Sequence, residues 1–275
     1  MDPQREIYPN APLKLVAFGL EFPELPELMK PPEALDQRLR EHYPLHGPPP
    51  VAIVEARSGL QVSPQGGIQT GGLRRIDRRK RNAVVLTRRQ LIVETSDYAR
   101  FEGFRERLAE VLRHIAETVE LPAVERIGLR YIDEIDPAEL PAPVRWSDYL
   151  AEELLAHEHL LDGEPLESSA AILLERGVGE QIVVRSGLAR SAIVNPEGPL
   201  YIARSPQGAC RFIDIDSSWS APPNDLPEFE PEQVIATVER LHAPIGDAFE
   251  RIISERLRGH LRAKRELDPE TADDR

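Results

Sequence analysis

The sequence predicts an α+β fold of two related modules, each an antiparallel strand meander covered by a long amphipathic helix. Three observations predict it. Phe101, Phe104, Leu108, Val111, Leu112, Ile115 and Val119 recur at three- and four-residue intervals, the spacing of one helix face. Val234, Val238, Leu241, Ile245, Phe249, Ile252, Leu257 and Leu261 repeat the pattern near the end of the chain. Each stripe follows a group of short segments with strand character. A sheet with one apolar face must bury it, and a helix with one apolar stripe can cover it.

The elements follow in order. Val16, Phe18, Leu20 and Phe22 alternate within Leu13 to Phe22, which is strand spacing. Ala34 to Tyr43 reads as a short helix and Val51 to Ala56 as a strand. Gly67 to Arg78 and Asn82 to Thr95 read as a hairpin turning near Arg79-Lys80-Arg81. Ser96 and Asp97 are N-cap candidates for the first long helix, because a short side-chain oxygen can accept from the free amides of a first turn. Pro122 ends that helix, and Val124 to Ile135 resumes as a strand. Trp146 to Leu161 reads as helical. Ala170 to Arg176, Gln181 to Val194, Leu200 to Arg204 and Ala209 to Asp216 read as a meander. Pro231 suits the first turn of the terminal helix. Pro244 within it removes a hydrogen bond to the Arg240 carbonyl, which predicts a kink near Ala243.

The chain has 275 residues, room for one large domain or two smaller ones at ~100–200 residues each. Of its 26 prolines, eleven fall in the first fifty residues, so that region cannot be continuous helix or central sheet. A proline-rich joint from Pro137 to Pro143 sets the expected boundary between modules 1–140 and 141–275. One cysteine excludes a disulfide scaffold and a cysteine-rich zinc site. The longest purely apolar run, Ala170 to Leu174, is far short of the ~20 residues of a membrane span. No apolar stretch follows the first residues, so neither membrane nor secretory leader is expected, and the expected compartment is the cytoplasm.

Four blocks stand out in order: Tyr8-Pro9-Asn10-Ala11-Pro12-Leu13, Ile127-Gly128-Leu129-Arg130-Tyr131-Ile132-Asp133, Phe212-Ile213-Asp214-Ile215-Asp216, and Leu241-His242 with Phe249 and Leu257-Arg258. In this order the chain resembles a sporadically distributed, uncharacterised conserved prokaryotic family of roughly this length. Asp133 departs from the asparagine more usual there. The resemblance implies an architecture, no catalytic residues, and a link to mobile or defence genes.

Two clusters are candidates for chemistry. Arg74, Arg75, Arg78, Arg79, Lys80, Arg81, Arg88 and Arg89 stand within Leu73 to Arg89, with Asp77 the single anion, in a chain of net charge −13. Such a ribbon can bind phosphates through cation contacts and counterion release. It can also pair with carboxylates, this chain's own or a partner's. No aromatic residue interleaves it as in single-strand binders. Asp214 and Asp216 share one face of a strand, where two carboxylates could hold Mg²⁺. Arg126 and Arg130, sharing a strand face, could neutralise them instead. His157 and His159 have no familiar metal spacing, and His242 reads as a core or cap histidine. Cys210 reads as a buried thiol. Arg176-Gly177-Val178-Gly179 reads as a hairpin turn, and no P-loop or serine-nucleophile motif occurs.

Three function classes compete. A non-catalytic binding or regulatory protein comes first, using its sheet faces or the cleft between its modules, with a protein partner or second copy and no cofactor. Nucleic-acid binding through residues 73–89 is second. A metal-dependent enzyme on Asp214 and Asp216 is third.

Overall fold

The computed structural model describes residues 6–48, 51–52, 55–58, 61–64, 69–160, 162–163 and 165–263. It is a mixed α+β protein. In chain order its strands are β1 (Leu13–Glu21), β2 (Leu45–His46), β3 (Val51–Ala52), β4 (Glu55–Ser58), β5 (Gln61–Pro64), β6 (Gln69–Thr70), β7 (Leu73–Ile76), β8 (Asn82–Leu86), β9 (Gln90–Thr95), β10 (Arg126–Ile135), β11 (Ser168–Gly177), β12 (Glu180–Ala189) and β13 (Cys210–Ser220). Its helices are α1 (Glu33–Leu39), α2 (Phe101–Thr118), α3 (Glu152–Leu155), α4 (Pro231–Ile252) and α5 (Glu255–Arg262).

Nine strands form one antiparallel sheet in the order β11-β12-β13-β10-β1-β9-β8-β7-β2. β3 with β6, and β4 with β5, are separate two-stranded pairs. Helices α1, α2 and α4 contribute to a single core over one face of the large sheet, and α4 packs on β10, β12, β13 and α2. The period-two alternation of β1 drives this arrangement. Val16, Phe18, Leu20 and Phe22 are all fully buried, each stabilising the fold by about 1.5–3 kcal/mol relative to exposure. The opposite face is covered in part by the segment between β12 and β13. There Val194, Leu200 and Ile202 pack against Ile76, Ala83 and Ile132 in a second, smaller cluster. Glu134 of β10 fastens that segment, its Oε1 accepting from the amides of Ile193 at 2.6 Å and Val194 at 2.7 Å.

Several expectations are corrected. The expected strand Val51 to Ala56 is divided between β3 and β4, with residues 53–54 outside the described residues. The first arm of the expected hairpin begins at residues 67–68, also outside them. Its second arm is two strands, because the chain reverses at Thr87 to Arg89, where the Thr87 amide donates to the Gln90 carbonyl. Leu200 to Arg204 is not a strand: its apolar side chains face the smaller cluster, and the Tyr201 amide donates to the Lys80 carbonyl at 2.7 Å. The helix expected over Trp146 to Leu161 is broken into short turns. Tertiary bonds take its backbone instead, Ala151 N–H to the Ile252 carbonyl and Ser254 N–H to the Tyr149 carbonyl. The terminal helix continues through Pro244 and breaks at Ile253, where Ser254 caps α5 by accepting from Leu257 N–H.

Candidate functional site

At one end of the sheet, β1 starts, β10 ends, the β7–β8 turn projects and the β12–β13 segment crosses. A cleft of about 1360 Å³ opens there, between the first turn of α2, the middle of α4, the approach to β1 and residues 203–204. Its floor comes from β10. Period-two spacing puts Ile127, Leu129, Tyr131 and Asp133 on the helix-covered face, and only the last two reach the cleft.

The Tyr131 hydroxyl donates to the Tyr98 hydroxyl at 3.0 Å and lies 3.2 Å from Nδ1 of His242. One hydroxyl proton cannot serve both contacts. While Tyr131 donates to Tyr98, Nδ1 therefore carries a proton and donates to Tyr131. The His242 ring stacks on Phe101 at 3.9 Å between centroids and 4° between planes. Tyr98 meets Tyr131 edge-on at 5.3 Å. A helix from each half of the chain thus supplies one ring of the stacked pair, Phe101 opening α2 and His242 lying in α4.

Asp133 is 4% exposed, and no described residue hydrogen-bonds its side chain. Burial pushes its carboxyl up to about 8, with Lys14 opposing and Asp214 adding to the shift. Lys14 does not make contact in place of a hydrogen bond. Its ammonium donates to the carbonyls of Arg204 at 2.8 Å and Ala203 at 3.4 Å. These bonds hold Arg204 at a φ of 52°, in the left-handed region that costs a non-glycine residue about 1–2 kcal/mol.

The rim is built of engaged charges. Arg105 pairs with Glu239, and the Arg81 guanidinium lies 4.4 Å from the Tyr201 ring centroid. Tyr8 donates to Glu250 at 2.9 Å, and Arg258 donates to the same carboxylate. Burial, reinforced by the Glu250 bond, raises the Tyr8 hydroxyl to about 12.

The cationic ribbon is dispersed. Arg75 is 1% exposed and faces the core side, where both Nε and Nη2 donate to Asp36 of α1 at 2.6 Å. Arg74 donates to the Pro48 carbonyl. Arg88 and Arg89 sit in the β8–β9 turn with Glu24, roughly 17 Å from the other turn at strand rise. Arg81 lines the cleft. Only Arg78, Arg79 and Lys80 are both exposed and without an ion pair to any described residue. The expected single patch of eight is therefore corrected to a tip of three. One residue of each pair along a strand faces the other side, and the chain reverses twice.

Asp214 and Asp216 do share a face, the one away from the helices, and both meet arginine. Arg130 donates to the two oxygens of Asp214 at 2.7 and 2.9 Å, and Arg185 adds a third bond at 3.3 Å. Arg126 lies 3.6 Å from Asp216. Among the described residues no three of histidine, cysteine, aspartate or glutamate group as a metal site. Cys210 is fully buried, and burial raises its thiol to about 12. No helix among the described residues is long and apolar enough to cross a membrane.

The sequence pattern placed Phe101 on the first helix stripe and His242 as a core or cap histidine, and it did not single out Tyr98. One signal was readable. On a strand face otherwise apolar at Ile127 and Leu129, Tyr131 and Asp133 are out of character. No protein-family model matches the chain, and no curated protein is recognisably similar to it.

Proposed function

We propose that this chain is a non-catalytic binding protein that holds a small ligand in the cleft between its two halves. The observation that carries this reading is Asp133, a buried carboxyl without a hydrogen-bonding partner among the described residues, at the base of a cleft walled by α2 and α4. A nearly buried acid that opens on a cleft and has no hydrogen-bonding partner among the described residues is suited to receive a ligand, since folding alone gains nothing from placing it there.

The strand order supports reading the halves as related modules. β1-β9-β8-β7 with α2 is mirrored by β10-β13-β12-β11 with α4, meeting at the β1–β10 pair. In each half the first strand pairs with the last strand of the following meander. This pairing favours a boundary ahead of β10 rather than at residue 140. Mobile or defence-linked genes remain the proposed context, on the resemblance of the four sequence blocks.

The test is a thermal-shift screen of the full chain against small polar metabolites of both charges, with hits repeated on Phe101→Ala and His242→Ala. Ligands that stabilise the parent chain and lose their effect in both variants support the reading. A screen without a stabilising compound, or hits indifferent to both variants, overturns it.

A further inference from the structure

We infer that the ligand of this cleft is a small organic cation whose ammonium sits on the Asp133 carboxyl against the faces of Tyr98, Phe101 and Tyr131. The inference rests on the binding reading above and gives its site a ligand class. A nearly buried polar group on the cleft floor is an acid, and no described charged group hydrogen-bonds it. Lys14 of β1 is turned to backbone carbonyls, Asp214 of β13 repels, and no rim arginine acts on it. Tyr131 on its own strand and His242 of α4 bond to each other rather than to Asp133. Arg204, the nearest crossing residue, offers its carbonyl to Lys14.

The walls suit the same ligand. Aromatic faces attract ammonium groups by about 0.5–2 kcal/mol, more when desolvated.

The chemistry has a proton balance. Burial keeps Asp133 protonated near neutral pH, so an ammonium that pairs with it displaces one proton to solvent. The cation stays charged, and the carboxyl becomes carboxylate. Affinity must then rise about tenfold per pH unit up to about 8, the value that burial gives Asp133, and level off above it.

Isothermal titration of the full chain with 1,4-diaminobutane and with choline, from pH 6 to 9, tests this. Adipate and inorganic phosphate serve as anionic comparisons. At least one cation should bind with that pH slope and release about one proton. Asp133→Asn should weaken it at least tenfold and remove the slope, while its thermal melt shows it folded. Failure of both cations to bind at millimolar concentration overturns the inference, as does equal binding by Asp133→Asn. Binding of adipate or phosphate alone, sensitive to Phe101→Ala, also overturns it while leaving the binding reading standing. No binding by any of the four, together with a silent metabolite screen, removes both.

Discussion

Arg75, fully buried in β7, is held by Asp36 of α1 through two 2.6 Å hydrogen bonds, with a further bond to the Pro44 carbonyl at 3.3 Å. One residue of the expected phosphate-binding ribbon is thus an internal tie between helix and sheet edge. Asp36→Ala would leave the guanidinium buried without its carboxylate. Removing one partner of a buried pair costs about 3–5 kcal/mol, so urea denaturation should show a loss of about 3 kcal/mol, given the partial exposure of Asp36. Burial raises the Asp36 carboxyl, but the bonds from Arg75 and Arg40 outweigh it and hold it below its ordinary 3.8. Its contribution is therefore complete above that value and lost as pH falls through the lowered one. A variant that melts like the parent would show that the tie carries no weight.

Asp133 has the opposite sign. Its folded value of about 8 lies above the ordinary 3.8, so the folded chain binds a proton that the unfolded chain has released. Stability from this group is complete below 3.8 and falls by about 1.4 kcal/mol per pH unit until the pH passes about 8. Asp133→Asn, which cannot ionise, should thus gain on the parent chain as pH rises from 5 to 8. Chemical denaturation of both chains at several pH values checks this. Parallel pH profiles would place the carboxyl in contact with water.

The three cations at the β7–β8 tip carry what is left of the polyanion reading. Alanine at Arg78, Arg79 and Lys80 together should change stability by less than about 0.5 kcal/mol, as surface changes away from packed features do. The same variant should lose any retention of the parent chain on a duplex DNA column at low salt. Retention that survives the substitution would move the contact elsewhere.

Asp214 is gripped by Arg130 and Arg185, which compete with any cation for its oxygens. Millimolar Mg²⁺ or Mn²⁺ should leave the melting temperature of the chain unchanged. Arg130→Ala should destabilise it by about 1–3 kcal/mol, the cost of an under-satisfied buried charge. A metal-dependent rise in melting temperature, abolished by Asp214→Asn, would restore the metal reading.

The long helices and the strand at Leu13 were legible because their periods are long and regular. Their apolar residues recur often enough to name a face without knowing what covers it. Short elements were not. Trp146 to Leu161 has helical spacing, yet its backbone bonds to Ile252 and Ser254, partners about a hundred residues away that no local pattern names. The Arg126–Asp216 and Arg130–Asp214 ties were readable from parity within each strand. That β10 and β13 lie side by side was not.

The sequence by itself determined the α+β class, the two amphipathic helices, the buried face of β1 and the dense charge of residues 73–89. All of these are properties of periodicity and composition within a few turns or strands. Only the tertiary structure decided that nine strands join in one sheet, that Arg75 is internal, and that Tyr98, Tyr131 and His242 meet in the cleft that Asp133 lines. Those outcomes depend on which strands pair and which loop crosses which edge. Pairing is chosen by the summed burial of many distant residues, so it is a property of the whole chain and of no segment of it.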